Sequence, residues 1–194
     1  MPLALQAFLV AFGVVFLAEL PDKTMFATIV LSTRYRRPVA VVVGVTLAMI
    51  FHSVLAVAVG EALRHLPRTP TQLAVAALFL AGGALLLRGS DDDAEIETAP
   101  VHGAWGVIGR TAVIIGIAEF GDFTQLATIG IVADRGYAVA VAAGSVAAHI
   151  VVATLAVLAG KWLERKLPVR TVQRMAGILF IIFGLITVTS AIRG

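Results

Sequence analysis

Four acidic residues lie inside otherwise apolar stretches of this chain: Glu19 and Asp22 in one, Glu119 and Asp122 in another. Each pair is three residues apart, so on a locally helical turn both carboxylates project from one face. An ionised acid within a membrane span costs roughly 3 kcal/mol unless it is paired, which makes such residues candidates for function. Three chemistries fit four carboxylates. Lys23 and stray basic residues could neutralise them in a packing network, but one lysine against four acids leaves that account about three charges short. The acids could relay protons without a metal. They could also form an oxygen cage for a divalent cation, which supplies both the missing charge and a ligand type that magnesium, calcium and manganese accept. The charge count favours the cage.

The neighbours of these acids are polar. Thr24, Thr124 and Gln125 could add neutral oxygens or orient the carboxylates from behind, and the threonines could equally bond their own helix backbone. Lys23 could serve as a counter-cation to an empty site or extend toward the interface. His52 and His149 fall inside apolar stretches but are not related by the repeat described below. Each reads as a hydrogen-bonded interior histidine before a metal ligand. Glu61 sits near the end of its stretch, where solvation accounts for it. There is no cysteine, so thiolate metal sites, disulfides and cysteine nucleophiles are excluded.

Long hydrophobic elements must position these residues. Of 194 residues, 59% are hydrophobic and 14% charged, and the mean hydropathy of +0.97 exceeds what the core of a soluble domain needs. Six apolar segments stand out, at about Leu3 to Ser32, Val39 to Leu63, Gln72 to Leu87, Val107 to Ala133, Tyr137 to Leu163 and Val172 to Ile192. They are too long for the alternating strands of an outer-membrane barrel and predict an all-α membrane protein of six transmembrane helices. The first segment lacks the basic start and small-residue cleavage site of a signal peptide and is expected to be retained. It is also too long for a single straight crossing, and Pro21 predicts a break or kink within it.

Basic residues cluster after segment one (Arg34, Arg36, Arg37), beside the central loop (Arg88, Arg110) and after segment five (Lys161, Arg165, Lys166, Arg170). By the positive-inside rule these loops face the cytoplasm and both termini face outside. The same placement at segment ends explains the net charge of +3 without nucleic acid. The loop Gly89 to Ala104 carries Asp91, Asp92, Asp93, Glu95 and Glu97 and reads as a solvated acidic linker.

A shift of 100 positions aligns Ala18-Glu19-Leu20-Pro21-Asp22-Lys23-Thr24 with Ala118-Glu119-Phe120-Gly121-Asp122-Phe123-Thr124. Identities continue through Ala27, Thr28, Ile29, Gly44, Ala48 and Gly60, and after one inserted residue Gln72 aligns with Gln173 and Phe79 with Phe180. The chain is a duplication: residues 1–88 form a first three-helix repeat, 89–106 the acidic cytoplasmic linker, and 107–194 a second three-helix repeat. Three crossings per copy force the second copy to enter from the opposite face, so the halves are inverted repeats. Transporters so built hold their substrate near the midplane, between broken helices. Gly121 permits in the second half the departure from helix that Pro21 imposes in the first. Gly44, Gly60, Gly82, Gly83, Gly144 and Gly160 read as close-packing positions between helices.

On these motifs the chain resembles the Gdt family of cation/proton exchangers, within the broader lysine-exporter superfamily. That family is defined by two copies of Glu-x-Gly-Asp-(Lys/Arg)-(Ser/Thr). The resemblance spans the whole chain; Pro21 replaces the first glycine and Phe123 the second basic residue. It implies a transporter, not an enzyme, exporting manganese or calcium from the cytoplasm in exchange for protons. Glu19, Asp22, Glu119 and Asp122 match the proposed metal ligands, with Lys23, Thr24, Thr124 and Gln125 in support. The expected setting is the inner membrane of a bacterium. No cofactor is expected besides the transported cation; the partners are lipid, that cation and protons, with homo-oligomerisation left open. Two alternatives remain. An exporter of another small solute of the lysine-exporter type would want an anion-binding feature that is not evident beside four acids. An intramembrane aspartyl protease could use Asp22 and Asp122 as its dyad, but the second motif lacks the Gly-x-Gly-Asp form and the extra glutamates would disturb a shared proton.

Overall fold

Backbone amides in stretches this apolar must find partners within the chain, and helices supply them locally. The computed structural model describes residues 1–20, 23–88, 101, 103–166 and 169–193, and its regular structure is helical throughout. The helices are α1 (Leu3–Glu19), α2 (Lys23–Tyr35), α3 (Pro38–Arg64), α4 (Arg68–Arg88), α5 (Gly103–Ala118), α6 (Phe123–Arg135), α7 (Ala138–Lys166) and α8 (Val169–Arg193). Their starts repeat at an offset close to 100 residues, as the sequence register requires. The second half begins slightly earlier than its hydropathy suggests, since α5 starts at Gly103 rather than near Val107.

Segments one and four are each divided in two. The axes of α5 and α6 meet at 75°, and those of α1 and α2 at 67°. Between α5 and α6 the turn is made by Gly121 at φ +78, a conformation that a Cβ would strain. Asp122 then caps α6, its carboxylate accepting from the backbone N–H of Gln125 at 2.8 Å. In the first half the corresponding division falls at residues 21–22; these, like the acidic stretch 89–100, lie outside the described residues. Among the described residues α3 and the Ala138–Leu158 part of α7 are long and apolar enough to cross a membrane alone, and the count rises to four if each bent pair is one span. The apolar stretches of α4 and α8, Thr69–Leu85 and Phe180–Ile192, are shorter.

The tightest packing runs between the halves. Helix α1 lies on α7, α5 on α3, α4 on α8, and α3 on α7. Glycines set the spacing, and they do so in pairs that follow the duplication. A Cβ on Gly44 would lie 2.7 Å from the carbonyl oxygen of Ile108, and one on Gly144 would strike the carbonyl oxygen of Phe8. In the register of α4 and α8, Gly83 packs on Ile181 as Gly184 packs on Leu80. Without a hydrophobic force between helices in lipid, such close backbone approach is what holds them together. The outward side is apolar too: Val39, Val43, Leu47, Phe51 and Val54 of α3 are all exposed. A surface of that kind is stable against hydrocarbon and unstable against water.

Candidate metal centre

The division of each bent pair places an acid at the inner end of its first helix. Glu19 ends α1 and is 0% exposed; Glu119 immediately follows α5 and is 4% exposed. Asp122, half-buried, opens α6 from the other side of the turn. One carboxylate oxygen from each of Glu19, Glu119 and Asp122 lies within 4.8 Å of the others. Two halves separated by 100 residues of sequence thus contribute acids to one interior point. Asp22 falls outside the described residues.

A small cavity adjoins this cluster, with about 10 Å³ open to the centre of a water-sized body, room for about one water molecule. The turn and α6 contribute Glu119, Asp122, Thr124, Gln125 and Thr128 to its wall. Opposite them, α3 contributes Met49, His52 and Ser53, and α7 contributes Ser145 and His149. Nine of the eleven residues that line it have polar side chains, which an ion or a proton requires.

The expected supporting residues hold the turn. Thr124 Oγ1 donates to Asp122 Oδ2 at 2.9 Å, and Gln125 Oε1 accepts from the Gly121 N–H at 2.7 Å. With the Asp122 cap, this is a reciprocal arrangement close to a capping box, and it fixes the direction in which Asp122 points. Thr24 is buried, and its hydroxyl has no hydrogen-bond partner among the described residues. Lys23 opens α2; its side chain lies outside the described residues.

Sequence reasoning set His149 aside as an interior histidine, and its hydrogen bond is of that kind: Nδ1 lies 2.8 Å from the Ser145 carbonyl oxygen. The ring does more than fill space, because Nε2 lies 3.3 Å from Glu19 Oε1. His52 similarly places Nε2 3.0 Å from the Gly116 carbonyl oxygen. Thr128 was also missed. Its hydroxyl donates to the Thr124 carbonyl at 2.8 Å and reaches Ser145 at 3.3 Å. The repeated pair Thr28 and Thr128 was the available signal, since Thr28 makes the same bond to Thr24 at 2.6 Å. No comparable signal marked His149, whose counterpart in the register is Met49.

Together these features define a class: helical membrane proteins made by duplication, with acids buried where helices are broken. The profile of the family described as "Divalent cation/proton antiporter GDT1" matches residues 7–94 and again 107–194, and the chain belongs to that family. Among curated relatives, "GDT1-like protein sll0615" of Synechocystis is 31% identical over 94% of this chain and 97% of the relative. "GDT1-like protein 5" of Arabidopsis thaliana is also 31% identical, over 93% of this chain and 94% of the relative. A Vibrio cholerae protein named "Putative manganese exporter" is 27% identical over 88% and 84% of the two chains. No solved structure matches.

Proposed function

We propose that this member of a cation/proton antiporter family exports manganese or calcium from the cytoplasm, taking up protons in return, through a midplane site formed by Glu19, Asp22, Glu119 and Asp122. In this reading the bent pairs α1–α2 and α5–α6 are each one crossing, α4 and α8 complete six spans, and the halves are inverted. Both termini face outside a bacterial inner membrane, and the partners are lipid, the cation and protons. The observation that carries the proposal is the convergence of Glu19, Glu119 and Asp122 within 4.8 Å, with both Glu19 oxygens buried and without a hydrogen-bond donor among the described residues. Buried acceptors of that kind need an explanation, and an ion supplies one.

The mechanism follows from charge. Clustered carboxylates repel one another, so the site is occupied either by a divalent cation or by protons. Competition for the same oxygens couples the two flows in opposite directions. Rocking one set of helices against the other about the α3–α7 contact would expose the site to each face in turn. Thr124 and Gln125 keep Asp122 aimed at the site during that motion.

Proteoliposomes carrying a metal-sensitive and a pH-sensitive dye test the proposal. Uptake of manganese or calcium accompanied by an opposite proton movement is expected, and it should vanish in Glu19→Gln and in Asp122→Asn. Transport that survives both substitutions rules the site out.

A further inference from the structure

Glu19 is closed off on one side by a ring whose protonation is dictated by its own backbone. His149 is 5% exposed, and its Nδ1 lies 2.8 Å from the carbonyl oxygen of Ser145. A carbonyl can only accept, so Nδ1 carries the hydrogen and, in the neutral ring, Nε2 presents a lone pair. Nε2 lies 3.3 Å from Glu19 Oε1 but off the axis of its lone pair, and neither atom has a hydrogen-bond partner among the described residues. With the ring neutral, two buried acceptors this close repel unless something positive lies beside both.

We propose that Nε2 of His149 is a ligand of the transported cation alongside Glu19, and that this nitrogen makes the site prefer manganese to calcium. The inference rests on the reading of the acidic cluster as the cation site. An ion about 2.3 Å from each of two ligands at right angles holds them about 3.3 Å apart, which is the separation found. The other ring nitrogen, donating to a backbone carbonyl, is the usual second contact of a metal-binding histidine; it fixes the tautomer and the ring plane. His149 also lines the same cavity as Glu119 and Asp122. Calcium takes oxygen ligands, whereas transition ions accept imidazole. One nitrogen among carboxylates therefore separates two ions that an all-oxygen cage would treat more alike. The duplication places Met49 at the equivalent position, so this ligand has no counterpart in the register; His52 of α3 lines the same cavity from a position that the register does not relate to it.

The test uses the full chain, purified and loaded with manganese, and reads electron spin-echo envelope modulation. Wild-type protein should show nitrogen modulation from an imidazole on the bound ion, and His149→Gln should lose it. In liposomes the same variant should lose about tenfold of its preference for manganese over calcium, manganese uptake falling more than calcium uptake. Bound manganese without nitrogen modulation in the wild type overturns the ligand assignment and leaves the carboxylate site standing. A variant that loses both ions in equal proportion overturns the selectivity claim. Wild-type protein that binds no manganese overturns the ligand and its selectivity, and calcium transport in that case would leave the carboxylate site standing. The wild-type spectrum needs no variant, so misfolding of His149→Gln would not shield the proposal.

Discussion

The seam between α1 and α7 and the seam between α5 and α3 are copies of one another, yet one is filled and the other is not. Both are set by a glycine beneath a carbonyl, Gly144 under Phe8 and Gly44 under Ile108. On α1, Phe8, Phe12 and Phe16 stack along the helix with ring centres 6.3 and 5.7 Å apart. The same positions on α5 hold Ile108, Ala112 and Gly116. Where the rings are missing, an open apolar groove of about 780 Å³ runs between α3 and α5, lined by Leu47, Phe51, Ala112, Val113, Gly116 and Phe120. Next to the site the contrast persists: Glu19 is sealed beneath His149, while Phe120, beside Glu119, is 69% exposed. Duplication has kept the backbone contact and let the side chains diverge. Glu19 and Glu119 are both buried, so the difference lies in the seams beside the site and not in the acids themselves.

Substituting the shared glycines attacks what the seams have in common. Gly144→Ala and Gly44→Ala should each destabilise the protein by about 1–3 kcal/mol, measured as unfolding in detergent, because the new methyl overlaps a backbone atom. Thr111→Ala, which copies Ala11 of the first seam, removes the Cγ2 that lies 3.0 Å from the new methyl and should recover a small part of the Gly44→Ala loss, the overlaps with the Thr111 Cβ and the Ile108 oxygen being kept. It should do nothing for Gly144→Ala. Equal rescue of both would mean that the seams are coupled and the comparison is misplaced. A smaller effect is expected at the turn. Gly121→Ala forces a side chain into positive φ and should cost about 1 kcal/mol, although nothing among the described residues lies within 4 Å of the added atom. The smallest effect sharpens the contrast between the seams. Gly116→Ala meets only Ala48 Cβ at 4.0 Å and should be neutral or raise stability by up to about 1 kcal/mol through helix propensity. A marked loss there would show that the groove is closed in the folded protein and the seams are alike.

Much of this was legible in the residues themselves. The long apolar runs, the division of segments one and four, and the pairing of Glu19 with Glu119 all follow from hydropathy, from Pro21 and Gly121, and from a register of 100. Family membership was legible for the same reason: two motifs at a fixed offset are a local pattern. The roles of Thr128, Ser145 and His149 were not legible, because each depends on α7 packing beside α3 and against the end of α1. Hydropathy also placed the start of α5 a few residues late, since Gly103 to Gly106 are helical without being strongly apolar.

Sequence alone determined which groups must be buried and that they come in duplicate, because the cost of a charge in hydrocarbon and the period of a helix act on the chain locally. Tertiary structure decided what each copy meets. Glycine contacts between the halves bring α7 against α1, and only that approach sets an imidazole 3.3 Å from Glu19, while its counterpart Met49 offers the opposite half no nitrogen.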